Sequence, residues 1–349
     1  MGGGTLGYGR AVPSRPLPVL PSRGALLLGI AAAALGTPGS AGAANRWIEP
    51  RPLVIAHQGG EDEYPSNTLY AFRKSVAAGA DMLELDVGVT RDGEVVVMHD
   101  TTLDRTTSGT GTVASRSLAS IRRLDGARWF ATPMTPSGDA YDHRRRASAY
   151  RFRGIATGAR KAPRGFRAAD FRVTTLREVL RAFPDTPITI EIKGRTRAEA
   201  DAEYVRNAEV LARLLRGTER RDLIVVSFKQ PAVDRFRALA PGIGVAPGVA
   251  GITAWLLAGT APAAGTVAFQ VPITYDLSGT LFQVTTQAAI AAAHAAGYAW
   301  HVWFGGGDPD VPATWRRLAS WCADGIMTAR PRALAAELRR RPATGRCPG

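Results

Sequence analysis

Cysteine is nearly absent: the 349 residues contain two, Cys322 and Cys347. No zinc-type spacing of Cys and His exists, and the two thiols allow one disulfide at most. Lysine is also scarce, at 74, 161, 193 and 229, so arginine carries nearly all of the formal charge of +14. That charge comes without a basic helix or a nucleic-acid-reading aromatic pair. The residues therefore point to no nucleic acid as partner, and leave a general attraction for phosphate-bearing substrates. No period of 20 to 50 residues repeats, which excludes a solenoid. What is present is ordinary globular material, 45% apolar and 21% charged, long enough to bury one large core without a second domain.

Residues 1–45 differ from the rest. Arg10, Arg15 and Arg23 precede Ala25-Leu26-Leu27-Leu28-Gly29-Ile30 and an alanine run, and Ala41-Gly42-Ala43 supplies small residues. This is a signal-peptide pattern with cleavage near Ala43, and its apolar segment is short for a permanent membrane span. The leader carries neither an Arg-Arg pair nor a lipidation Cys. The expected location is secreted or cell envelope, with residues 46–349 as the working domain. Export suits a Cys322–Cys347 disulfide, although a buried thiol at Cys322 is equally open.

The informative stretch runs from Val54 to Asp100. Val54-Ile55-Ala56 is a short apolar strand ending in His57. After a Pro65-Ser66 break, Leu69, Phe72 and Val76 recur at helical spacing. Met82 to Val89 reads as a strand in which Glu84 and Asp86 share a face. Asp92-Gly93 marks a turn, and Glu94 to His99 returns as a strand that brings His99 nearly opposite Asp86. Two carboxylates and two imidazoles at strand ends are poor packing material.

Further along, residues 131–172 form a long irregular insertion, a length more often functional than accidental. Strands are expected at Ile188–Lys193, Leu223–Ser227, Ile243–Ala246, Val267–Val271, Tyr298–Phe304 and Gly325–Met327. Helices are expected at 176–183, 197–215, 231–239, 286–296 and 312–322. Such alternation predicts an α/β fold with a covered parallel sheet, closed or open.

His57-Gln58-Gly59, Pro65-Ser66-Asn67-Thr68, Glu84-Leu85-Asp86 and His99-Asp100 together resemble the signature of the glycerophosphodiester phosphodiesterase family. The likeness continues through Thr175 to Leu180, Glu191-Ile192-Lys193, Ser227-Phe228, Val302-Trp303 and Asp324 to Thr328. It implies a (β/α)8 TIM-type barrel, with the insertion after the third strand on the active face. It also implies His57 and His99 as the acid–base pair, and Glu84, Asp86 and Glu191 as ligands of a divalent cation. Hard carboxylate oxygens suit Ca²⁺ or Mg²⁺. In such enzymes the nucleophile can be the substrate's own glycerol hydroxyl, giving a cyclic phosphate that water opens. The sequence does not assign the acid and base roles, and oligomeric state is not legible.

Substrate-binding candidates are Gln58, Lys193 and Trp303. Lys193 shares a face with Glu191; Trp303 is either an apolar wall or plain core. His301 alternates onto the face of Trp303 and is a candidate for the mouth. His143 and His294 read as structural. The family usually has Arg where Gln58 stands and Glu where Ser66 stands; Glu61 and Glu63 are the candidates to replace the lost carboxylate, with Glu63 preferred. The reading that follows is hydrolysis of a small glycerophosphodiester to an alcohol and sn-glycerol 3-phosphate. Two alternatives stay open. One is a phospholipase D-like or C-like enzyme on lysophospholipids, touching a lipid surface through an apolar rim (Trp255, Leu256, Leu257, Phe269, Leu281, Phe282). The other is a non-catalytic phosphodiester-binding barrel.

Overall fold

Strand alternation and helix caps determine how this chain lays out its elements. The computed structural model describes residues 45–136, 138–195, 200–277, 279–305, 308–340 and 347. The expected signal peptide and its cleavage site at Ala43 lie outside them, as do Gly306 and Gly307. The strands are β1 (Leu53–Ala56), β2 (Met82–Val89), β3 (Val95–Val97), β4 (Ile188–Ile192), β5 (Leu223–Val226), β6 (Gly244–Val245), β7 (Ala268–Pro272), β8 (Thr274–Leu277), β9 (Thr280–Gln283), β10 (Ala299–Trp303) and β11 (Gly325–Thr328). The α-helices are α1 (Leu69–Ala78), α2 (Leu118–Ile121), α3 (Leu176–Ala182), α4 (Ala200–Leu215), α5 (Gln230–Leu239), α6 (Val249–Ala258), α7 (Gln287–Ala295), α8 (Pro312–Ser320) and α9 (Pro331–Arg340).

Eight parallel strands follow the order β6-β5-β4-β2-β1-β11-β10-β7. The two ends meet through a parallel bridge from Val245 to Thr266 and a bond from the Val267 N–H to the Val245 carbonyl. This is a nearly closed α/β barrel, as the family resemblance implied. One detail differs: β3 stands outside the ring, antiparallel to β2 with Val87 opposite Val97. The Met98 N–H bonds the Asp86 carbonyl, so His99 lies one residue beyond the position facing Asp86.

Alternation divides each barrel strand between two environments. Leu83, Leu85 and Val87 of β2 pack outward with Ile188, Ile190 and Ile192 of β4 and with helix residues such as Phe72 and Leu211. Met82 faces inward with Ile55, Ile224 and Met327, and Trp47 joins that interior cluster. Glu84 and Asp86 continue the inward face of β2 toward its C-terminal end.

The helices are held by local caps. The Thr68 hydroxyl accepts the Ala71 N–H at 3.1 Å to start α1. Thr175 and Glu178 form a capping box that starts α3. Cys322 and Cys347 are joined as a disulfide, one of the two outcomes left open by the sequence. No helix among the described residues is long and apolar enough to cross a membrane.

Candidate active site

β1 delivers His57 to the barrel's C-terminal end, where the chain turns through Gln58 (φ 49°), Gly59 (φ 79°) and Gly60 (φ 89°). A Cβ at Gly59 would come within 2.8 Å of the Phe72 ring, and one at Gly60 within 2.7 Å of Pro331. Glycine is therefore required for both conformation and space. The turn aims the Gln58 N–H at Glu84 Oε2 (2.6 Å) and brings Glu61 Oε1 to 2.6 Å from His57 Nδ1. His57 Nε2 lies 3.9 Å from Glu84 Oε2. Burial opposes the imidazolium, but Glu61 and Glu84 outweigh it and raise the His57 pKa to about 10.

Parallel pairing of β2 with β4 sets Asp86 beside Glu191. Together with Glu84, each carboxylate offers one oxygen within 4.8 Å of the others. The Lys193 ammonium reaches Asp86 Oδ1 at 3.2 Å and Glu191 Oε1 at 2.7 Å. Asn67 donates to Asp86 Oδ2 at 3.0 Å. Burial and the neighbouring Asp86 push Glu84 up to about 8. Burial also opposes charge on Asp86, but Lys193 and the two His hold that carboxyl low. Three carboxyl groups converge with only one ammonium between two of them, and buried Asp86 Oδ1 makes no hydrogen bond of good geometry beyond the Lys193 ion pair. This all-oxygen donor set fits a hard divalent cation.

His99 emerges just beyond β3. Its Nδ1 lies 2.8 Å from Asp100 Oδ1, and Arg105 clamps the same carboxylate through Nε (2.6 Å) and Nη2 (3.2 Å). The Arg105 guanidinium lies 4.9 Å over the Tyr141 ring. The Tyr141 hydroxyl in turn accepts the Ser66 N–H at 2.7 Å and lies 2.8 Å from Ser66 Oγ. The insertion thus reaches the Pro65–Thr68 loop with a buried tyrosine, and Ser66 pairs with that phenol where the family usually has Glu.

Two expectations need correction. His301 is fully buried: it packs edge-on to Trp47 with ring centroids 6.4 Å apart, and its Nδ1 lies 3.4 Å from Gln270 Nε2. It belongs to the barrel interior and makes no wall of the mouth. Glu63 turns away to α9, where Oε2 accepts the Arg332 N–H at 3.1 Å, so Glu61 is the carboxylate that meets His57. Gln58 is buried, with its amide oxygen 3.5 Å from Asn67 Nδ2, and its backbone rather than its side chain reaches the acidic cluster. Trp303 is half-buried against Phe228, centroids 5.6 Å apart, and Lys193 Nζ lies 5.7 Å from the Phe228 ring. Of the apolar rim, Phe269 is core and Trp255 packs on it, whereas Leu257, Leu281 and Phe282 are exposed. Sequence reasoning missed Arg105, Tyr141 and Phe228. Only Phe228 carried a signal, its place directly after a strand in the Ser227-Phe228 pair.

Residues 57–333 match the model of the glycerophosphoryl diester phosphodiesterase family. The chain belongs to that family. It is 41% identical over 95 residues to a glycerophosphodiester phosphodiesterase of Bacillus subtilis, covering 27% of this chain and 32% of that one. It is 49% identical over 75 residues to one from Caldanaerobacter subterraneus, covering 22% and 31%. These matches thus span about a third of the relatives' length. A phosphodiesterase of Oleispira antarctica, solved in complex with the product sn-glycerol-3-phosphate, shares the fold with a TM-score of 0.58 and 19% identity, over 83% of this chain and 97% of that one.

Proposed function

We propose that the protein hydrolyses glycerophosphodiesters to an alcohol and sn-glycerol 3-phosphate, using a divalent cation and two histidines. The observation that carries this reading is the pairing of each imidazole with a carboxylate at Nδ1, His57 with Glu61 and His99 with Asp100, beside the cluster of Glu84, Asp86 and Glu191. A carboxylate on Nδ1 orients the ring and leaves Nε2 to give or take a proton.

Glu84, Asp86 and Glu191 would hold Ca²⁺ or Mg²⁺, which when bound neutralises phosphate charge as a Lewis acid. Lys193 adds a point charge for a phosphate oxygen, and Trp303 with Phe228 offers an apolar wall to the glycerol carbons. One imidazole takes the proton of the attacking hydroxyl while the other protonates the departing alkoxide as its P–O bond breaks. Overall one water is consumed, whether it attacks directly or opens a cyclic phosphate formed by the glycerol hydroxyl. The leader of residues 1–45 supports export to the medium or envelope.

A second reading, lysophospholipid cleavage at a lipid surface, is favoured by exposed apolar side chains. Phe228 is 40% exposed, and Leu281 and Phe282 on the β8–β9 hairpin are 60% and 48% exposed. Turnover of glycerophosphocholine against lysophosphatidylcholine separates the two. The proposed activity predicts higher kcat/KM on glycerophosphocholine, and the reverse order replaces it with the lipid enzyme. Turnover of neither, with glycerol phosphate still bound, identifies a non-catalytic barrel.

A further inference from the structure

Away from the acidic cluster, a cleft of about 410 Å³ opens between α1, α3 and the end of the insertion. Its size falls within the range of small-molecule sites. Five arginines line it: Arg73, Arg122, Arg167, Arg172 and Arg181. Two carboxylates answer them. Buried Asp170 pairs with Arg73 at 3.4 Å, and Glu178 with Arg122 at 2.7 Å. Arg167, Arg172 and Arg181 form no ion pair among the described residues. The Nε of Arg172 and of Arg181 are spent on the Ala156 and Arg177 carbonyls (3.1 and 3.4 Å).

Three uncompensated guanidinium groups around one concavity repel one another, and the wall beneath them is fixed. Asp170 is anchored by its bond from the Arg167 N–H (2.7 Å), and Glu178 is held by the Thr175 cap. Asp170 and Glu178 are thereby committed to Arg73 and Arg122 and leave Arg167, Arg172 and Arg181 without an acidic partner on the cleft wall. Guanidinium forks match phosphate oxygens in geometry and charge, and a multiply charged anion removes the repulsion.

We propose that this cleft is a second, non-catalytic site for a multiply charged phosphate group, carried by a soluble phosphate ester or by an anionic lipid headgroup. The proposal stands independently of the reading of the catalytic cluster, because none of its arginines touches Glu84, Asp86 or Glu191.

The test uses the full chain and the double variant Arg167→Glu/Arg181→Glu, both exposed positions outside the acidic cluster. Arg213→Glu/Arg216→Glu at the C-terminal end of α4 serves as a control with the same change in net charge. Binding of inorganic pyrophosphate is measured by calorimetry in EDTA. Binding to phosphatidylcholine vesicles with and without phosphatidic acid is measured by sedimentation. The expected result is at least tenfold weaker binding of one probe in the cleft variant alone, with turnover of glycerophosphocholine unchanged. Loss of pyrophosphate binding assigns a soluble ester, and loss of phosphatidic acid-dependent sedimentation assigns a lipid headgroup. Equal binding in wild type and cleft variant, or an equal loss in the α4 control, overturns the proposal.

Discussion

Glu61 Oε1 lies 2.6 Å from His57 Nδ1, brought there by three successive left-handed residues. The contact sets both the orientation and the charge of the imidazole. Glu61→Gln keeps a hydrogen-bonding side chain but removes the anion that raises the His57 pKa. Turnover should fall about 10- to 100-fold, as for other carboxylates that orient a functional His. The limb of the pH–rate profile belonging to His57 should move to lower pH. An unchanged profile would reduce Glu61 to a packing contact.

His57→Ala and His99→Ala should each lower kcat by about 10²- to 10⁴-fold, and the His57 variant should also unfold more easily because Glu61 and Glu84 lose the imidazolium they pair with. Asp100→Asn should produce a smaller loss through His99, whose ring it orients. Full activity in either alanine variant removes that residue from the mechanism.

Tyr141→Phe tests the insertion. The phenol is the acceptor for the buried Ser66 N–H, and its loss should cost about 1–3 kcal/mol of stability by leaving that donor unpaired. The Pro65–Thr68 loop also carries Asn67, which donates to Asp86, so activity should fall along with stability. Urea unfolding with parallel kinetics measures both. An unchanged midpoint would show that the loop finds another acceptor.

His301 supplies a pH signature of folding. Burial holds its pKa down at about 4, against about 6.5 in an unfolded chain. Between these values the unfolded chain binds a proton that the native protein excludes, so stability is complete above about pH 6.5 and is lost as pH falls. The full loss by pH 4 is about 3 kcal/mol. In His301→Gln this part of the pH dependence should vanish from the denaturation midpoints. A slope identical to wild type would assign it to other groups.

The acidic cluster was legible because β-alternation alone places Glu84 and Asp86 on one face, and the family resemblance added Glu191. Alternation does not report depth. His301 and Trp303 share a face, yet two residues of rise, about 6.6 Å, separate the barrel interior from the mouth. The Glu61 and Glu63 directions hung on left-handed angles at Gln58, Gly59 and Gly60, which no periodicity encodes. Helix α6 escaped because Val249–Ala258 is almost wholly apolar, with no polar face to mark a period. Arg105 and Tyr141 lie in irregular chain, where only tertiary contact assigns a partner.

The most direct test of a cation held by Glu84, Asp86 and Glu191 is a metal titration of glycerophosphocholine turnover after EDTA treatment. Activity should disappear with EDTA and return with Ca²⁺ or Mg²⁺, and Glu191→Gln should need a much higher metal concentration for half-maximal return. Undiminished turnover in EDTA, or superimposable titrations of wild type and Glu191→Gln, would contradict the account.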